Sequence, residues 1–211
     1  MKSILLTERQ VSFLVNHVNN YRLLKEETEG IDDLMNKIKE TYKLSEEHLS
    51  EIRRFILNSN CRKIIVERIK MGAGLSLSDR VILSPDLFNM NLAKFLFILF
   101  HEIAHQYQFK KYGGEKMYEL YTGEMSIQEG CKMMKNIETV ADEFAARKMR
   151  EFVKLGVIKE KDAKFGGFYK TTPESHFHML VMQIRDMLKK SKVSEPDKIS
   201  ELFYNFVKIN I

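Results

Sequence analysis

The chain has 211 residues, 44% hydrophobic and 30% charged, a balance with enough apolar material for one sizeable globular core, with or without an extension. Only three prolines and ten glycines are present, which argues against long flexible linkers. The net charge of +5 permits acidic partners such as nucleic acid, but the lysines and arginines are spread along the chain and no block reads as a dedicated basic arm.

At the start of the chain, "MKSILLTERQ" holds an apolar run too short for a signal peptide. Thr7 and Gln10, in capping-box spacing, start a first helix, with Val11, Leu14, Val15 and Val18 at helical intervals. Gly30 interrupts, and Ile31 to Tyr42 reads as a second amphipathic helix. Ser45 caps a third, with Leu49, Ile52, Phe55 and Ile56 on one face. "RKIIVERI", Arg62 to Ile69, is rich in β-branched residues and reads as a strand. "MGAGLSLSD" reads as a turn, and "RVILS", Arg80 to Ser84, as a second strand that Pro85 ends. A small antiparallel sheet is the expectation.

One long helix is expected from Asn91 to about Tyr112, capped by Asn89 or Asn91 and stopped by Gly113-Gly114. "NIETVADEFAARKMREFVKLG" reads as another, capped by Asn136 and stopped by Gly156. "FGGFYK" reads as a loop. Thr171 and Glu174, again in capping-box spacing, start a helix through about Lys189, and a last helix begins near Pro196. Met179, Met182 and Met187 fit an apolar helix face and are expected in the core. The longest apolar run, Leu92 to Phe100, contains Lys94 and ends at His101, too short to span a bilayer. Cys61 and Cys131 lie far apart and outside any CxxC, which excludes a disulfide framework and a thiolate zinc site and points to a reducing, cytoplasmic setting.

His101-Glu102-Ile103-Ala104-His105 carries the chemistry. Helix residues four apart lie about 40° apart around the axis and roughly 6 Å along it, so both imidazoles leave one face and can bind one metal ion. Glu102 falls beside the ion rather than on it, where it can take a proton from a metal-bound water. Phe95 to Phe100 are apolar nearly all round, so the helix is buried, and burying two histidines and a glutamate without a partner would cost several kcal/mol. A bound cation removes that difficulty.

A catalytic zinc site usually has three protein ligands. No histidine lies between His105 and His176, so the HExxHxxGxxH arrangement is absent, and the best candidate for the third ligand lies in "ETVADEFAA". Glu138, 33 residues after His105 near the start of the next helix, can complete a His/His/Glu set. Asp142, one turn further on, can hydrogen-bond the non-ligating nitrogen of a bound histidine. Ala141, Ala145 and Ala146, with Ala104 opposite, would let the two helices pack closely. A donor for the oxyanion of a tetrahedral intermediate is left open among His176, His178, Tyr169 and Tyr121, with His176 preferred.

"HEIAH" followed by "ETVADEFAA" resembles the gluzincin zinc metallopeptidases, which pair HExxH with a Glu-x-x-x-Asp helix. The spacing and the strand "RVILS" just upstream look most like the compact ImmA/IrrE-type metallopeptidase domain, over about residues 62 to 152. That resemblance implies a zincin-like α+β fold, mainly helical, with a small antiparallel sheet packed on the HExxH helix. It implies Zn2+ at His101, His105 and Glu138, with Glu102 as general base, and a strand near Val81 to Ser84 that aligns a protein or peptide substrate. Residues 61–211 would form the metallopeptidase domain and residues 1–60 a helical extension, together one compact unit. Two alternatives stand beside peptide hydrolysis. One is a regulatory protein of this type acting on a specific repressor partner. The other is a metal-stabilised binding module with little hydrolysis.

Overall fold

The computed structural model describes residues 30–191 apart from 60, 62, 70, 71, 78 and 123; within helices the side chains at 112–118, 120–122, 168, 174, 180, 184, 187–189 and 191 lie outside that description. The expected first and last helices also fall outside it.

Helix α1, residues 30–42, buries Ile31, Leu34, Met35 and Ile38, the three-to-four spacing of one helical face. Its first residue is a glycine for a steric reason: a Cβ on Gly30 would lie 2.6 Å from the Ile64 carbonyl oxygen. Helix α2, Glu46–Leu57, starts where the Ser45 side-chain oxygen accepts the His48 N–H at 3.3 Å, and it buries Leu49, Ile52 and Ile56.

Three short strands follow: β1 (Ile64–Val66), β2 (Gly74–Ser76) and β3 (Val81–Leu83), in the order β1-β3-β2. The expected antiparallel sheet is in fact mixed. β1 and β3, the two strands legible in the sequence, run parallel, and β2, inside the segment read as a turn, runs antiparallel to β3. The reversal falls between β2 and β3, where the Leu77 N–H bonds the Arg80 carbonyl at 2.8 Å. The chain leaving β1 therefore crosses to the far side of β3 before turning back, so β1 and β3 share a direction. β3 is central and completely buried on both faces, as an all-apolar Val-Ile-Leu run requires.

Ser84 accepts the Asp86 N–H and opens a 3-10 turn, Pro85–Asn89. Helix α3 spans Leu92–Thr122, with the Asn91 side chain accepting the Lys94 N–H at 2.8 Å. It does not stop at Gly113-Gly114. It continues although a helical glycine costs about 1 kcal/mol relative to alanine. Among the described residues, the glycines that do adopt left-handed φ are Gly72, Gly156, Gly166 and Gly167.

Helix α4 spans Ile127–Lys154 and begins well before Asn136. Ser126 is its cap, in a reciprocal capping box with Glu129. Its end is as expected. Gly156 takes φ 73°, and the Gly156 and Val157 N–H groups return to the Val153 and Phe152 carbonyls, a Schellman closure with Val157 and Phe152 both buried. A 3-10 turn (Glu160–Asp162), the short helix α5 (Phe168–Thr171) and α6 (Glu174–Ser191) complete the described chain.

One buried cluster joins α1, α2, β1, β3, α3 and α4. Phe100 and Phe152 are buried within it and the half-buried Phe55 packs against it, with the Phe100 ring centroid 4.7 Å from that of Phe55 and 4.9 Å from that of Phe152. A second cluster, Cys131, Met134, Phe177 and Val181, holds α6 on α4. The buried face of α6 is thus Phe177 and Val181, and Met179 and Met182, expected in the core, are exposed. Helical spacing fitted either face, and packing on α4 chose the other one. The fold is mostly helical, with the sheet packed against α3. Among the described residues no helix is long and apolar enough to cross a membrane.

Candidate metal centre

The apolar half of α3 fixes the register of its polar half. Phe95, Leu96, Leu99, Phe100 and Ile103 are fully buried, so the helix cannot rotate without exposing them. His101 and Glu102, within the same stretch, are buried themselves, at 7% and 8% exposure. α4 lies alongside, with Ala141 and Ala145 fully buried and Ala104 nearly so on α3, as close helix packing needs. Ala146 instead meets the loop before α5, where a Cβ on Gly166 would lie 3.1 Å from its own.

This packing brings Glu138 of α4 onto the two histidines. His101 Nε2 lies 3.1 Å from Glu138 Oε2 and 3.1 Å from His105 Nε2, and His105 Nε2 lies 3.6 Å from Glu138 Oε2. One ligand atom from each of the three falls within 4.8 Å of the others. Asp142, 1% exposed, faces the back of His101, with Oδ1 3.1 Å from Nδ1. Its other oxygen accepts the Tyr169 N–H at 3.3 Å. The Tyr169 ring lies 5.6 Å from that of His101.

The donor set fits a cation. An ionised Asp142 can only accept, so it assigns the His101 proton to Nδ1 and leaves the Nε2 lone pair facing inward. Two imidazole nitrogens and a carboxylate oxygen are the types that zinc binds. Without a cation, protons must fill the same space. Burial alone would push the His101 imidazole down, but the Asp142 and Glu138 carboxylates outweigh it and hold its pKa up at about 10. Burial would likewise push the Glu138 carboxyl up, but His101 and His105 hold it down at about 2.

Glu102 stands apart from that set. Burial pushes its carboxyl up, against the pull of the two histidines. β2 covers it closely: a Cβ on Gly74 would lie 2.6 Å from Glu102 Cγ and 2.8 Å from Oε1. Gln106, 3% exposed, fastens the β2–β3 turn to α3 through the Ser76 hydroxyl and the Leu77 and Arg80 carbonyls. β1 and β2 are the two edge strands, and β2 is the one that lies over Glu102. β3, the strand expected to align a substrate, is flanked on both sides.

His176 lies in the first turn of α6, exposed, with its ring edge-on to Phe177. Among the described residues no hydrogen bond or ring contact joins it to His101, His105 or Glu138. The Tyr121 side chain falls outside the described residues. Two participants escaped the sequence reading. Gly74 looked like turn punctuation, and nothing local betrays its contact with Glu102. Gln108 was legible in principle, being one helical turn beyond His105 on the same face. No family model, curated protein or solved structure matches the chain. The site's meaning rests on its own chemistry.

Proposed function

We propose that the protein is a zinc-dependent metallopeptidase in which His101, His105 and Glu138 hold the metal and Glu102 is the general base. One observation carries this reading: two imidazoles and a carboxylate converge within 4.8 Å beside a buried fourth group that is not among them. Zinc bound by such a set supplies Lewis acidity, which polarises a carbonyl and acidifies water. Glu102 takes the proton of the attacking water and hands it to the leaving amine. Asp142 orients His101 through Nδ1.

An extended peptide fits best as an added strand on β2, the edge strand whose Gly74 backbone approaches Glu102. For the oxyanion donor, His176 remains a proposal from sequence, and Tyr169 is the better supported. Asp142 anchors its backbone, its ring faces His101, and its hydroxyl is pushed up by burial and by the charges of Glu138, Glu102 and Asp142.

The finer reading, a gluzincin of the compact ImmA/IrrE type, rests on the pairing of His101–His105 with Glu138 and Asp142. Residues 61–211 would carry that unit, with residues 1–60 as its helical extension. Glu102→Gln is expected to keep its zinc and lose at least about 100-fold in turnover of a cleavable peptide. Full turnover with zinc in place would sink the mechanism. In the same assay Tyr169→Phe should lower kcat at unchanged zinc content while His176→Ala leaves it unchanged; the opposite pattern would return the role to His176.

A further inference from the structure

The Gln108 amide touches both helices of the site. Its Oε1 lies 2.8 Å from His105 Nδ1, and its Nε2 donates to the Ile137 carbonyl at 2.8 Å. Ile137 immediately precedes Glu138. A backbone carbonyl can only accept, so the amide must turn its NH2 toward α4 and its oxygen toward His105. That oxygen can only accept in turn, so the His105 proton is assigned to Nδ1. The Nε2 lone pair is then left facing His101 and Glu138, 3.1 and 3.6 Å away.

We infer that Gln108 is a positioning residue for the metal site: one amide sets the tautomer of His105 and ties it to the backbone beside Glu138. The inference rests on the metal-site reading above and extends it. Asp142 does for His101 what Gln108 does for His105, but with a charge. Gln108 adds a neutral partner that spans from α3 to α4. Loss of such an outer hydrogen bond to a ligating histidine typically weakens metal binding about 10- to 100-fold.

Two substitutions test it. Gln108→Met keeps side-chain length and helix preference and removes both hydrogen bonds. Gln108→Glu keeps an acceptor for His105 and removes the donor to Ile137. Zinc affinity is read by competition with a chromophoric chelator, and the His105 Nδ1–H by 15N-edited NMR of the zinc-loaded chain. Gln108→Met should bind zinc about 10- to 100-fold more weakly and lose the slowly exchanging Nδ1–H resonance. Gln108→Glu should keep that resonance and recover most of the affinity. Wild-type affinity and an unchanged resonance in Gln108→Met would overturn the inference and leave the metal site standing. Equal weakening by both variants, with the resonance lost in each, would refute the acceptor role. A wild-type chain that binds no zinc would overturn the site reading and this inference together.

Discussion

At the scale of single residues, the site trades protons for a cation. Without metal, His101 holds its proton up to about pH 10, against an ordinary value of 6.5. A folded pKa above the unfolded one contributes stability that is complete below pH 6.5 and disappears as pH rises through 10. Glu138 has the opposite sign: its pKa falls from 4.5 to about 2, so its contribution is complete above pH 4.5 and is lost as pH falls through 2. The metal-free chain should therefore be steadiest between these limits and melt at lower temperature as pH climbs from 7 to 10. Zinc must displace the His101 proton, so its apparent affinity should rise over the same range. Calorimetric melts with chelator and zinc titrations across that range check both trends. Flat zinc affinity would contradict the assignment of His101 as a ligand. These residues were legible because helical geometry converts the spacing of His101 and His105 directly into a shared face and sets Glu102 beside it. Gln108 obeys the same spacing, but its other partner is a backbone carbonyl on a distant helix, which no side-chain pattern announces.

At the scale of elements, what mattered was which surfaces touch. α3 and α4 were both foreseen, as was the Gly156 stop, because apolar period, caps and a left-handed glycine are local signals. The far end of α3 and the start of α4 were not, although the Ser126–Glu129 capping box at the start of α4 is itself a local signal. α3 runs through Gly113-Gly114, and α4 starts at Ser126 rather than Asn136, which moves Glu138 from the first turn to the interior of its helix. Its carboxylate is therefore not explained by the usual preference for acids at a helix start. β2 was hidden because Gly72 and Gly74 read as a turn. Gly74 is instead what laying a strand over Glu102 requires. Gly74→Ala should push the Glu102 side chain from its place, since neither β2, paired to β3, nor α3 can yield easily. The expected outcome is a loss of turnover of about tenfold or more with zinc content intact. Unchanged kcat/KM in Gly74→Ala would show that β2 does not set the position of the base.

At the scale of the whole molecule, α1 and α2 belong to the same buried cluster as the helices of the site. Phe55 of α2 packs on Phe100, the residue just before His101, and Phe100 packs on Phe152 of α4. The register of the site thus depends on segments well upstream of the motif. A metal held by α3 and α4 together would add a cross-link between the two main helices of the fold, stabilising the folded chain in proportion to ligand affinity and concentration. The claim on which everything else depends is that Glu138 completes a three-ligand site. Elemental analysis of the purified chain and of Glu138→Ala tests it most directly. One zinc per wild-type chain is expected, and little or none in the variant under the same dialysis. Zinc retained equally by Glu138→Ala, or no metal in the wild type after loading, would contradict it.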